Sequence, residues 1–115
     1  MASPEETARR AHWRAHFDPA RPLAEQLDKP WIDMWQVAHI MGISEASAYK
    51  SAKRFHAAML AGDWAAAARE VPCIVMGRTH RVPRAAFELW WGSAGGAMLA
   101  ALTERQDHLV LKEAS

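Results

Sequence analysis

The sequence predicts a mainly α-helical domain that carries one small β-hairpin. Three observations predict it. Residues 34–41 set Met34, Val37, Ala38 and Met41 at the i, i+3, i+4, i+7 spacing of one helical face. Residues 45–60 continue a helical pattern, with Ala48, Tyr49, Ala52, Phe55 and Met59 on the apolar side. Residues 73–82 break that rhythm. They read as a strand, Cys73-Ile74-Val75-Met76, a tight turn, Gly77-Arg78-Thr79-His80, and a return strand, Arg81-Val82.

Each element has its own local cause. Ser3-Pro4-Glu5-Glu6 supplies a capping hydroxyl, a first-turn proline and acids facing the positive end of the helix dipole, so a helix is expected over 5–17. It carries Arg9, Arg10 and Arg14 with Trp13 and Phe17, and Asp18-Pro19 ends it. Pro19, Pro22 and Pro30 make 18–30 a connector with at most a helical turn at 23–27. Asp33 caps the helix over 34–41, and Gly42 stops it by taking the left-handed conformation. Ser44 caps the next helix, which Gly62 ends. The run DWAAAARE over 63–70 has high helix propensity and predicts a short additional helix, broken by Pro72. Pro83 suits the first turn of a helix over 84–91, where Ala86, Phe87, Trp90 and Trp91 are available for packing. Residues 92–96 read as a flexible break, and 97–106 as a last helix carrying Met98, Leu99 and Leu102. The organisation expected is an N-terminal helix and connector over 1–30, a central domain over 31–92, and a C-terminal helix and tail over 93–115.

A chain of 115 residues fits one domain of modest core size. Half of the residues are hydrophobic and 23% are charged, which argues against a disordered chain. No apolar run approaches the ~20 residues that span a bilayer. The first residues lack the apolar core of a secretory signal, so the cytoplasm is the expected compartment. The one cysteine, Cys73, lies between Pro72 and Ile74 in an apolar run, which favours a buried thiol over a nucleophile. Net charge is only +1, but it is unevenly spread. Between Glu45 and Arg84 seven basic residues stand against three acidic ones, giving that section a charge of +4. This pattern fits either a surface facing nucleic acid or a solvated charged face.

A basic hairpin that follows a helix-turn-helix favours the first reading, although Arg78 and Arg81 also fit solubilising charges on a hairpin edge. Two helices joined by Gly42-Ile43-Ser44 make a tight helix-turn-helix, in which the first helix braces the second and the second offers its N-terminal residues to base edges in the major groove. Ser44, Glu45 and Ser47 are short enough for close approach; hydroxyls bond bases or phosphates, and a carboxylate accepts from cytosine N4. Lys50, Lys53 and Arg54 suit the flanking phosphates. Arg78, Thr79, His80 and Arg81, at or beside the hairpin tip, can reach a neighbouring minor groove or backbone, and Arg84 adds a further phosphate contact.

Other chemistries are weakly supported. His12 and His16 are four apart on a helix, but no second pair or acid cluster accompanies them, so no metal is expected. No carboxylate pair with a pocket, Ser-His-Asp set or phosphate-cradling glycine loop stands out, and His56 reads as a helix-face residue rather than a base. Neither an enzyme nor a cofactor is expected. Six tryptophans are many for this length: Trp31, Trp35 and Trp90 are assigned to the core, and an exposed Trp13, Trp64 or Trp91 would point to a protein contact.

Two blocks of the chain resemble one known family. WIDMWQVAHIMGISEASAYKSAKRF is similar to the helix-turn-helix of excisionase-like, MerR-related DNA-binding domains, through Ala38, Gly42, Ile43, Ser44 and Tyr49. VPCIVMGRTHRVPRAAFELW is similar to that family's wing, through Pro72, Ile74–Met76, Gly77-Arg78, Arg81, Val82-Pro83-Arg84 and Trp90. The resemblance spans about 60 residues, from 31 to 90, in two blocks in the right order. It implies a winged helix-turn-helix core that binds double-stranded DNA through recognition helix and wing. It also implies one of two roles: a recombination directionality factor of a phage or integrative element, acting with an integrase, or a small transcription regulator. The run RFHAAMLAGDWAAAARE departs from the family, which often has only a few residues between recognition helix and wing. The tip Arg78-Thr79-His80 departs too, because the family often has a second basic residue and an aromatic there. A third reading, from another class, is a protein-interaction module that has lost DNA binding, favoured by Glu45 at the front of the recognition helix. The terminal helices are the expected protein contacts, for a homodimer, a cooperative multimer on DNA, or an integrase.

Overall fold

The computed structural model describes residues 3–92. In chain order these form α1 (Pro4–His16), a single 3-10 turn (Leu23–Glu25), β1 (Trp31–Ile32), α2 (Met34–Met41), α3 (Glu45–Leu60), α4 (Trp64–Ala67), β2 (Ile74–Met76), β3 (Thr79–Pro83) and α5 (Arg84–Gly92). The architecture is mainly helical with a three-stranded antiparallel sheet of order β1-β3-β2. The expected helix over 97–106 and the tail lie outside the described residues.

The helix boundaries follow their caps. Ser3 Oγ accepts the Glu6 N–H at 3.1 Å, starting α1. The Asp33 N–H donates to Gln36 Oε1 at 3.0 Å at the start of α2, and Lys29 Nζ holds the Asp33 carboxylate at 2.9 Å. Gly42, at φ +70°, turns the chain out of α2 so that the Ile43 N–H reaches the Ala38 carbonyl at 3.0 Å. Ser44 Oγ then accepts the Ser47 N–H at 3.1 Å and opens α3 three residues after α2 has closed.

Four expectations are corrected. α4 covers Trp64–Ala67, not 63–70, because the chain beyond it tightens into i→i+3 bonds, with the Arg69 and Glu70 N–H groups donating to Ala66 and Ala67 carbonyls. The return strand begins at Thr79, so the turn is only Gly77-Arg78 and Met76 pairs with Thr79. The hairpin also gains a third strand, as Trp31 pairs with Pro83 and Ile32 with Val82. Alternation along this strand sends Ile32 inward, to 2% exposure. Trp31 is therefore turned away from the core, to which it had been assigned, and is half-buried.

The core lies between α2, α3, the inner sheet face and α5. Val37, Ala48, Ala52, Val71, Val82 and Phe87 are fully enclosed. Ala48 and Ala52 form a flat stripe on α3 that lets neighbouring elements approach closely, and Phe87 of α5 is fully enclosed in the same core, a burial contributing about 2–3 kcal/mol. Leu23 and Leu27 of the connector join this core. α1 is held by Trp13, whose indole N–H donates to the Gln26 carbonyl at 2.9 Å and whose ring meets Trp35 edge-on at 5.4 Å. Arg10 and Arg14 lay their guanidinium groups 5.2 Å from the Trp35 ring centre. Trp35 and Trp90 are buried, Trp13 and Trp64 half-buried, and Trp91, next to the last described residue, exposed. Cys73 is buried, its thiol donating to the Ala52 carbonyl at 3.0 Å. Among the described residues no helix is long and apolar enough to cross a membrane.

Candidate nucleic-acid interface

α3 divides its side chains by helical position. Ala48, Ser51, Ala52 and Phe55 face the interior, while Glu45, Ser47, Tyr49, Lys50, Lys53 and Arg54 are exposed. Tyr49 corrects the sequence reading, which put it on the apolar side. It stands one residue past Ala48, about 100° around the helix from the buried stripe.

This displacement gives Tyr49 a role. Its hydroxyl lies 3.3 Å from His80 Nδ1 of β3, and the two rings meet edge-to-face with centres 5.1 Å apart. One turn on, Lys53 Nζ sits 4.6 Å from the Tyr49 ring centre. One turn further, the His56 ring lies 6.3 Å from that of His80. Tyr49, Lys53 and His56 thus form an i, i+4, i+7 row along the edge of α3 that meets the hairpin. Sequence reasoning did not assign Tyr49 or His56 to the site; that spacing was the signal available.

The other expected α3 contacts are in distinct situations. Ser44 and Ser47 are bonded to each other, Ser44 Oγ donating to Ser47 Oγ at 2.8 Å as it caps the helix. Glu45 is exposed in the first turn, where the helix dipole favours its charge. Lys50 is exposed. Arg54 donates from Nε and Nη2 to the two Glu70 carboxylate oxygens at 2.9 and 3.2 Å. Hydrogen bonding to Glu70, and then its charge, raise the Arg54 pKa further above its ordinary value. The same carboxylate accepts Ser51 Oγ at 2.6 Å, and Ser51 Oγ accepts the Val71 N–H at 2.9 Å. Arg54 therefore ties α3 to the segment after α4 and has its charge compensated there.

The hairpin sorts its residues by face. Gly77 adopts φ +64°, a left-handed conformation that allows a turn of two residues and leaves Arg78 exposed at the tip. Thr79 is exposed beside it. Alternation along β3 puts His80 and Val82 on the face toward α3 and the core, and Thr79 and Arg81 on the other. The Arg81 guanidinium accordingly lies 4.3 Å from the Trp31 ring centre, on the outer face of the sheet. Arg84 begins α5 at the opposite end of β3, roughly 16 Å from Thr79 at 3.3 Å per strand residue. Its N–H donates to the Pro30 carbonyl at 2.9 Å and its side chain is half-buried.

Tyr49, Lys53, His56 and His80 are therefore drawn together, with Lys50 and Ser47 on exposed positions of the same helix. Arg54, Arg81 and Arg84 are held elsewhere. On α1 the His12 and His16 rings stack at 4.1 Å, and among the described residues no group of three or more His, Cys, Asp or Glu side chains is arranged to hold a metal. Comparison of this chain with protein-family models, with curated proteins and with solved structures finds no match.

Proposed function

We propose that this chain is a sequence-specific double-stranded DNA-binding protein with a winged helix-turn-helix core, α2 and α3 forming the helix-turn-helix and the β2–β3 hairpin the wing. The observation that carries the reading is the contact between Tyr49 and His80, which keeps the hairpin beside the exposed edge of α3. A duplex that receives α3 in its major groove then meets the hairpin tip at the adjacent backbone or minor groove. The 16 residues of α3 span about 24 Å, enough to cross a groove about 12 Å wide. In this reading Glu45 and Ser47 face base edges, Lys50 and Lys53 neutralise phosphates, and Arg78 and Thr79 contact the backbone beyond.

Within this reading the role is an excisionase-type recombination directionality factor acting beside an integrase, and the alternative is a small transcription regulator. Both rest on the resemblance of residues 31–55 and 71–90. Gel shifts against attachment-site and promoter duplexes separate them; binding confined to a promoter removes the recombination role. A protein-interaction module is the reading favoured by Glu45 and by the compensation of Arg54 by Glu70.

The direct test is titration of a labelled 30-base-pair random duplex at several salt concentrations. Measurable binding is expected, with log K falling against log salt by about 0.9 for each neutralised phosphate. Absence of binding at low salt overturns the DNA reading in favour of the protein-interaction module.

A further inference from the structure

We infer that Lys53, His56 and His80, with Tyr49 as the positioning residue, form a seat for one backbone phosphodiester of the duplex, and that filling this seat draws protons from solvent onto the two histidines. This rests on the DNA-binding reading and adds to it a site and a dependence on pH.

The argument begins with convergence. His56 comes from α3 and His80 from β3, yet their rings stand 6.3 Å apart at the junction of helix and hairpin. Both are half-buried, which limits their freedom while leaving part of each ring open to an approaching group. Tyr49 engages His80 at Nδ1 and leaves Nε2 as the second nitrogen for a ligand. Lys53 stands over the Tyr49 ring and brings a permanent cation to the same junction.

The charged and titratable groups that face the pair come from three elements. α3 contributes Lys53, the neutral Tyr49 and, one turn before Tyr49 on the same row, Glu45; the hairpin contributes Arg78 at its tip and Arg81 on its other face. From the β1–α2 junction, Lys29 and Asp33 border the hollow beside His80, and they hold each other at 2.9 Å. A phosphodiester in the seat adds an opposite charge beside them, and a nearby opposite charge favours the charged form of a base. Imidazolium also offers N–H donors at both ring nitrogens, whereas neutral imidazole offers one. Histidine is the side chain suited to make this change between pH 5 and 8. The orientation matters as well. Arg81 faces the opposite side of the sheet, so the cation on β3 that meets α3 is the one that can be switched.

The experiment follows the affinity of the full chain for a labelled random 30-base-pair duplex from pH 7.8 to 5.5 at constant ionic strength. Wild type is expected to tighten about fivefold for each histidine that gains charge near a phosphate. The His56→Gln/His80→Gln double variant is expected to bind with little pH dependence. His39→Gln, on α2 against the Trp13 and Phe17 rings, is expected to retain the wild-type profile. His80→Lys, whose charge is fixed, should bind more tightly than wild type at pH 7.8 and respond less to acid. Circular dichroism checks that each variant folds, and His80→Lys decides the matter if the double variant does not. Wild-type binding that is flat with pH, or a folded double variant that keeps the full response, overturns the seat while leaving DNA binding intact. Absence of binding at every pH overturns the seat and the DNA reading together.

Discussion

Replacing Glu70 with Gln should weaken the fold and strengthen DNA binding at once. The Glu70 carboxylate accepts two bonds from Arg54 and one from Ser51, which in turn accepts the Val71 N–H. Gln keeps the shape and an acceptor for Ser51 but removes the charge. The Arg54 side chain is 61% exposed and that of Glu70 22%, so solvent screens the ion pair and its loss costs the fold little. Turning the Ser51 bond from charge-assisted to neutral costs about 1 kcal/mol. A loss of about 1 kcal/mol lowers Tm by roughly 5 °C in a domain of this size. Meanwhile the guanidinium is released on the same helix face as Lys50, four residues earlier. One further phosphate contact steepens the log K against log salt slope by about 0.9. Thermal denaturation by circular dichroism and fluorescence anisotropy at four salt concentrations read the two effects separately. A variant that is destabilised but keeps the wild-type salt slope would refute the expectation that Arg54, once freed from Glu70, reaches the DNA backbone. Unchanged stability would refute the structural role of the Arg54–Glu70–Ser51 link.

Further predictions address other parts of the account. Arg78→Ala should weaken binding to all duplexes alike and reduce the salt slope by about 0.9, measured by the same titration. Ser47→Ala should alter sequence preference more than overall affinity; equal losses on a selected site and on random DNA would contradict that. Burial pushes the Cys73 thiol up to about 11, from about 9 when exposed, against a smaller opposing effect of a backbone hydrogen bond from His56. Native Cys73 should therefore react slowly with a thiol reagent at pH 8 and quickly once unfolded. The sign follows from linkage: the unfolded chain gives up its thiol proton first, so this contribution to stability is intact below about pH 9 and lost as pH rises toward about 11. Urea melts across that window check it.

Much of the fold was legible because it is written in local signals. Ser3, Ser44, Gly42, Gly62 and Pro83 mark helix ends through chemistry that acts within a few residues, and α1, α2 and α3 end within a residue or so of expectation. What was not legible depends on partners distant in sequence. Trp31 and Ile32 form a strand only because β3 offers them an edge, and two residues carry too little periodicity to announce it. α4 stops early as the chain tightens toward Glu70, whose partners Ser51 and Arg54 lie nearly twenty residues back. The site divides in the same way. The exposure of Lys50, Lys53 and Arg78 could be read from pattern. The turning of Arg81 onto Trp31, the pairing of Arg54 and the meeting of Tyr49 with His80 required the fold.

The central claim is that the exposed edge of α3 and the Gly77-Arg78 tip touch the same duplex. Amide chemical shifts of the uniformly labelled chain, followed as duplex DNA is added, test it most directly. The account predicts that the largest changes fall on residues 44–56 and 77–81, with α1 and α5 nearly still. Changes centred on α1, or on the outer sheet face around Trp31 and Arg81 with α3 unmoved, would contradict it.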